Sequence, residues 1–88
     1  MPGPQTREAR ISDLDLAALL VAEGLSFVRL EGSPDPRRKL FVIAGDAEQI
    51  DRLSISFHRA EAVVQVVAFI AARRRLRSAL VRGTDVSA

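Results

Sequence analysis

The stretch "ISDLDLAALLVAEG", residues 11–24, constrains the fold more than any other part of the chain. Ser12 is a good N-cap, and Asp15 three positions later makes a capping box with it. Ile11 before the cap and Leu16 in the first turns form the hydrophobic staple that often accompanies such a start. Gly24 supplies the left-handed residue that closes a helix C-terminus. Together these signals predict a helix over residues 13–23. Its interior, "LDLAALLVA", is apolar on nearly every side, so it has to be covered on more than one face. The rest of the chain must wrap it.

The material for that wrapping is limited. Eighty-eight residues make one domain. A chain this short buries only a little more than about 60% of the surface its unfolded form exposes. Small domains commonly add disulfides, a metal or a second subunit. With no Cys and a single His, His58, the first two devices are excluded, which leaves self-association or a partner. No metal and no cofactor is expected.

After the first helix come "LSFVRLE" and "KLFVIAG", both rich in β-branched and aromatic residues. The intervening "GSPDPRR" holds two prolines, a glycine and an aspartate, so the pair reads as an antiparallel hairpin. Val28, Leu30, Leu40 and Val42 make one inward set. Phe41 and Ile43 then face the other way, and both faces of the second strand want cover. Asp46 caps a second helix with Gln49 as its reciprocal partner, and Ile50, Leu53 and Phe57 form its core stripe. "HRAEAVV" is a bent link without Gly or Pro, and a last helix runs from about Val64 to Val81, ended by Gly83. The N-terminal "MPGPQTREAR", residues 1–10, reads as disordered, and residues 83–88 as a loose tail. The expectation is a small α+β domain over residues 11–82, of order α-β-β-α-α, with the hairpin packed on helices.

On these same residues the chain resembles a known family. "ISDLDLAALLVAEG", a strand ending "RLEG", "RKLFVIAGDAEQI" and a closing F-x-x-A-x-R-x-L-R-S-A-L are similar to a family of small prokaryotic and phage domains of unknown function. The resemblance spans residues 11–81. It implies an S/T-D-x-x-L-A-A opening helix, a β-hairpin and a basic C-terminal helix, and it brings no activity, cofactor or catalytic residue. The chain departs from the family in "AEAVVQVV", which is more apolar.

Catalysis finds little support. Acid–base or nucleophilic chemistry needs a reactive group beside a tuned partner. Cys, Tyr and Trp are absent, and His58 has neither a catalytic partner nor metal co-ligands at a recognisable spacing. The chain is read as a non-enzyme. Its "MPGPQTREAR" start has no apolar signal segment, and its longest apolar run is too short to span a bilayer. A cytoplasmic protein with no membrane partner is expected.

Charge points to the C-terminal helix. The pI near 10.4 overstates the case, because the formal net charge is only +2. Twelve of the thirteen basic residues are arginines, and no Tyr or Cys can lose a proton at high pH. Residues 1–44 carry six basic and six acidic groups, whereas Arg73, Arg74, Arg75, Arg77 and Arg82 lie within ten positions with no acid among them. With Arg73 at zero and about 100° per residue, Arg77, Arg74, Arg82 and Arg75 fall at roughly 40°, 100°, 180° and 200°. Phe69, Ala72, Leu76, Ala79 and Leu80 fall between roughly 240° and 340°, a narrow apolar seam opposite a broad basic face.

Arginine suits phosphate because its planar fork binds two oxygens and stays charged. Arg37, Arg38 and Lys39 at the hairpin add a second basic region. The leading expectation is therefore an accessory or regulatory module, of phage or mobile-element type, that contacts the DNA or RNA backbone. No aromatics are interleaved for base stacking. The alternative is a protein–protein adaptor or homodimeric subunit. In that reading Val63, Val66, Val67 and Ile70, with Phe41 and Ile43 of the two-sided strand, form the interface. A plain solvated face is the third reading of the arginines.

Overall fold

The computed structural model describes residues 5–82. Six elements follow one another: β1 (Thr6–Ile11), α1 (Leu14–Ala22), β2 (Ser26–Gly32), β3 (Lys39–Asp46), α2 (Ala47–His58) and α3 (Val66–Val81). The strands form one antiparallel sheet of order β1-β3-β2. Three helices and a three-stranded antiparallel sheet make this a small α+β domain. The expected tail at residues 83–88 lies outside the described residues, as do residues 1–4.

The start of the chain differs from expectation. Residues expected to be disordered form β1, paired with β3 from Thr6 opposite Asp46 to Ile11 opposite Phe41. Ala9 and Ile11 reach the core, whereas Glu8 and Arg10 lie on the opposite face. Only two apolar residues in six carry the strand, so hydrophobic alternation gives it little signal. Charge does better: Glu8 and Arg10 complement Arg29 and Glu31 of β2 across the sheet, and each arginine grips a carboxylate with two nitrogens.

Helix α1 forms where the capping signals place it, with a different cap. Asp13, not Ser12, is the N-cap, and its carboxylate accepts from the amides of Asp15 and Leu16 at 2.8 and 3.1 Å. A carboxylate also complements the positive end of the helix dipole, which a hydroxyl does only weakly. The C-terminus closes as a Schellman motif. Gly24 at φ +101° donates to Val21 O, and Leu25 donates to Leu20 O. Leu16, Ala17, Ala18, Leu19 and Leu20 are all buried, which places α1 at the centre of the molecule.

Helices α1 and α2 pack on one face of the sheet, and α3 packs on α1. Phe41 and Ile43 of β3 join α1, Ile50 of α2, and Ala72 and Leu76 of α3 in one cluster, with Phe27 and Leu30 of β2 against it. Phe27 and Leu30 are three residues apart, so a regular strand would send them to opposite faces. A β-bulge between Phe27 and Arg29 makes Val28 the extra residue and restores both to the core side. The inward set expected from alternation therefore fails at Val28, which is exposed. Val42 fails it differently. It is fully buried, yet it lies outside the helix-packed cluster, in register between Arg10 and Arg29. The aliphatic stems of these two arginines are placed to cover it.

Helix α2 starts at Asp46, which accepts from the Gln49 amide at 3.0 Å. The Gln49 side chain does not reach back to the cap; its Nε2 donates to Glu23 O at 3.4 Å and ties α2 to the end of α1. The unmarked break after α2 is another Schellman closure. Ala60 sits at φ +60° and donates to Phe57 O, while Glu61 donates to Ser56 O at 2.8 Å.

Candidate interaction surface

Helix α3 packs along α1 through Ala72, Leu76 and Ala79, with Phe69 and Leu80 half-buried at the margins. Small residues on both helices (Ala17 and Ala18 on α1, Ala72 and Ala79 on α3) suit close packing. This is the seam expected from the spacing of the apolar residues. It fixes what α3 presents outward. In axial order these residues are Val66, Val67, Ile70, Ala71, Arg74, Arg75, Arg77, Ser78, Val81 and Arg82, and all are exposed.

The outward face is apolar first and basic after. Val66, Val67, Ile70 and Val81 are 67%, 74%, 43% and 81% exposed, and Val63 in the preceding link reaches 88%. Four of the six residues expected at an interface are therefore open to solvent. Phe41 and Ile43 are not: both are buried in the core under the helices. The two-sidedness of β3 is met within the chain: Phe41 and Ile43 lie under the helices, and Val42 lies on the other face in register with Arg10 and Arg29.

The arginines divide as well. Arg73 is half-buried, and its Nε donates to Asp15 Oδ1 at 2.7 Å, which pins α3 to the first turn of α1. Its guanidinium is thus engaged within the fold, unlike those of the other α3 arginines. Arg74, Arg75, Arg77 and Arg82 are exposed, and none has a carboxylate within 4 Å among the described residues. Arg37 and Arg38 share Asp35 at 3.5 and 3.9 Å, and Lys39 is exposed. These three line a shallow depression with Ser12, Leu14, Phe41 and Leu80, which brings the hairpin loop beside the last turn of α3.

Seven acids elsewhere are engaged within the fold. Asp13 and Asp46 cap helices, Asp15 holds Arg73, Asp51 holds Arg7 at 2.6 Å, and Asp35 serves the loop arginines. Glu8 and Glu31 are engaged by Arg10 and Arg29 in a ring of alternating charge on the outer face of the sheet. That ring is neutral as a unit. Of the seven basic residues with no carboxylate within 4 Å among the described residues, four (Arg74, Arg75, Arg77 and Arg82) belong to α3 and its C-cap. Among the described residues no group of three metal-capable side chains comes together, and no helix is long and apolar enough to cross a membrane. No family model, curated protein or solved structure matches this chain.

Proposed function

We propose that the chain is a non-catalytic binding module that docks a protein on the outward face of α3. One observation carries this reading: four of the seven large exposed aliphatics among the described residues (Val66, Val67, Ile70 and Val81) share one helix face with exposed arginines. A phosphate backbone would engage the arginines and leave Val66, Val67 and Ile70 in water. A protein surface can cover both. Exposed apolar residues that adjoin in this way mark interaction sites, whereas scattered single ones need no explanation.

The test is capture of a partner from cells that express the chain, followed by reconstitution with that partner purified. Val67→Ser with Ile70→Ser should abolish the reconstituted complex while leaving the circular dichroism spectrum unchanged, because both residues lie off the α1 seam. Nucleic-acid binding that responds to salt and ignores this double substitution would sink the proposal.

Contact with a nucleic-acid backbone is the second reading. It is favoured by Arg37, Arg38 and Lys39 lying at the same end of the molecule as the last turn of α3. In that case Arg74→Ala with Arg77→Ala should weaken binding to unrelated duplexes equally. It should also flatten the slope of log affinity against log salt by about two, since each phosphate that an arginine neutralises adds about 0.9 to that slope.

A further inference from the structure

Val67, Ile70, Arg74, Arg77 and Val81 follow one another at spacings of three, four, three and four. That is the repeat with which one helix presents a straight seam to another. All five are exposed, and none belongs to the core cluster. From Val66 to Val81 the helix runs about 24 Å at about 1.5 Å per residue, enough to seat a partner helix of three to four turns. The seam is apolar at both ends and doubly positive in the middle.

This pattern selects among occupants. A second copy laid along the same face, whether parallel in register or antiparallel about the centre, sets Arg74 opposite another Arg74. Two unpaired like charges facing each other in a desolvated seam oppose such a dimer. Restricting the overlap to Val66, Val67 and Ile70 avoids the clash but leaves far less than the about 800 Å² per partner that stable interfaces bury. A partner with carboxylates at its centre and aliphatic residues on either side satisfies every position. Arginine favours such a partner, since its fork takes a carboxylate through two hydrogen bonds at once.

We infer that the outward face of α3 receives an acidic amphipathic helix of another protein, its aliphatic residues on Val67, Ile70 and Val81 and its central carboxylates on Arg74 and Arg77. This rests on the protein-docking reading above and adds the chemistry of the partner. The partner helix needs apolar residues at heptad spacing interrupted once by Glu or Asp, so charge sets its register along α3.

Fluorescence anisotropy with synthetic peptides tests this on the full chain. Three peptides of three heptads each carry Leu at the outer seam positions and differ at the centre: Glu in one, Lys in the second, and Glu with the outer Leu changed to Ser in the third. The Glu peptide should bind roughly tenfold or more tightly than either of the others. Arg74→Glu with Arg77→Glu should invert the preference between the Glu and Lys peptides, an outcome that loss of folding cannot imitate. Equal binding of Glu and Lys peptides, or no inversion, overturns the acidic-helix assignment and leaves protein docking standing. Failure of every peptide, with binding to duplex DNA or phosphatidylserine vesicles that the double reversal abolishes, overturns both. A dimer in sedimentation equilibrium that Val67→Ser with Ile70→Ser dissociates overturns the acidic-helix assignment alone, because it gives the face to a second copy.

Discussion

A methyl group stands where the end of α2 calls for glycine. Ala60 holds the left-handed position of the Schellman closure at φ +60°, a conformation that costs an L-residue roughly 1–2 kcal/mol. Ala60→Gly removes that strain and returns about 0.4–1 kcal/mol as extra freedom of the unfolded chain. The net expectation is stabilisation of about 0.5 kcal/mol, read as a higher urea midpoint at unchanged slope. Gly24 at φ +101° marks the opposite case, since any side chain there is strained. Gly45 is closed for a different reason, because an added Cβ would lie 2.7 Å from Leu25 Cγ. A second residue-scale expectation concerns acid. Arg10 first, then Arg29, hold the Glu31 carboxyl below its ordinary value of 4.5. The folded state therefore gives up this proton more readily than the unfolded state. The contribution is complete above the ordinary value and is lost as pH falls through the lowered one. Urea unfolding from pH 7 down to pH 3 should show stability falling below about pH 4.5, and falling less in Glu31→Gln.

Helix α3 separates the residues that hold it from those it offers. Leu76 is fully buried on the seam against α1, so Leu76→Ala should cost about 2–5 kcal/mol and lower the urea midpoint accordingly. Arg74→Ala with Arg77→Ala should leave that midpoint nearly unchanged, since both are exposed and Ala is a strong helix former. If the two variants behaved alike, the division of the helix into a held face and a free face would be wrong. This division was legible in the sequence because it depends on local periodicity, as were α1, the β2–β3 hairpin and the Asp46 cap. What escaped depends on partners distant along the chain. Arg73 looks like its neighbours until Asp15, 58 positions away, is folded against it. Alternation places Val28 in the core until the register with β3 demands a bulge. Phe41 and Ile43 ask for a second subunit only while strict alternation turns Val28 and Val42 toward the helices in their place. Even β1 had a signal, in charge: Glu8-x-Arg10 and Arg29-x-Glu31 read in opposite order, as two strands that run parallel to each other on either side of an antiparallel neighbour require.

At the scale of the molecule, β1 decides whether β3 is a central strand or an edge. Phe41, Val42 and Ile43 are three successive buried residues, covered by the helices on one side and the Arg10–Arg29 row on the other. Removing residues 1–11 takes away Ala9 and Ile11 from the core, Arg10 from above Val42, and every hydrogen bond on one side of β3. The bared strand would be eight residues long and largely apolar, and such an edge templates pairing with another chain. A chain beginning at Ser12 should therefore unfold at a lower temperature than the full protein and gain mass with concentration in sedimentation velocity. Arg10→Ala isolates one part of this effect, because it keeps the backbone ladder and removes only the cover over Val42 and two links of the charge ring. It should lower the midpoint without changing the mass. Truncated and full chains of equal stability and equal mass would mean that β1 merely lies on the sheet; the predicted difference in mass places it in the fold.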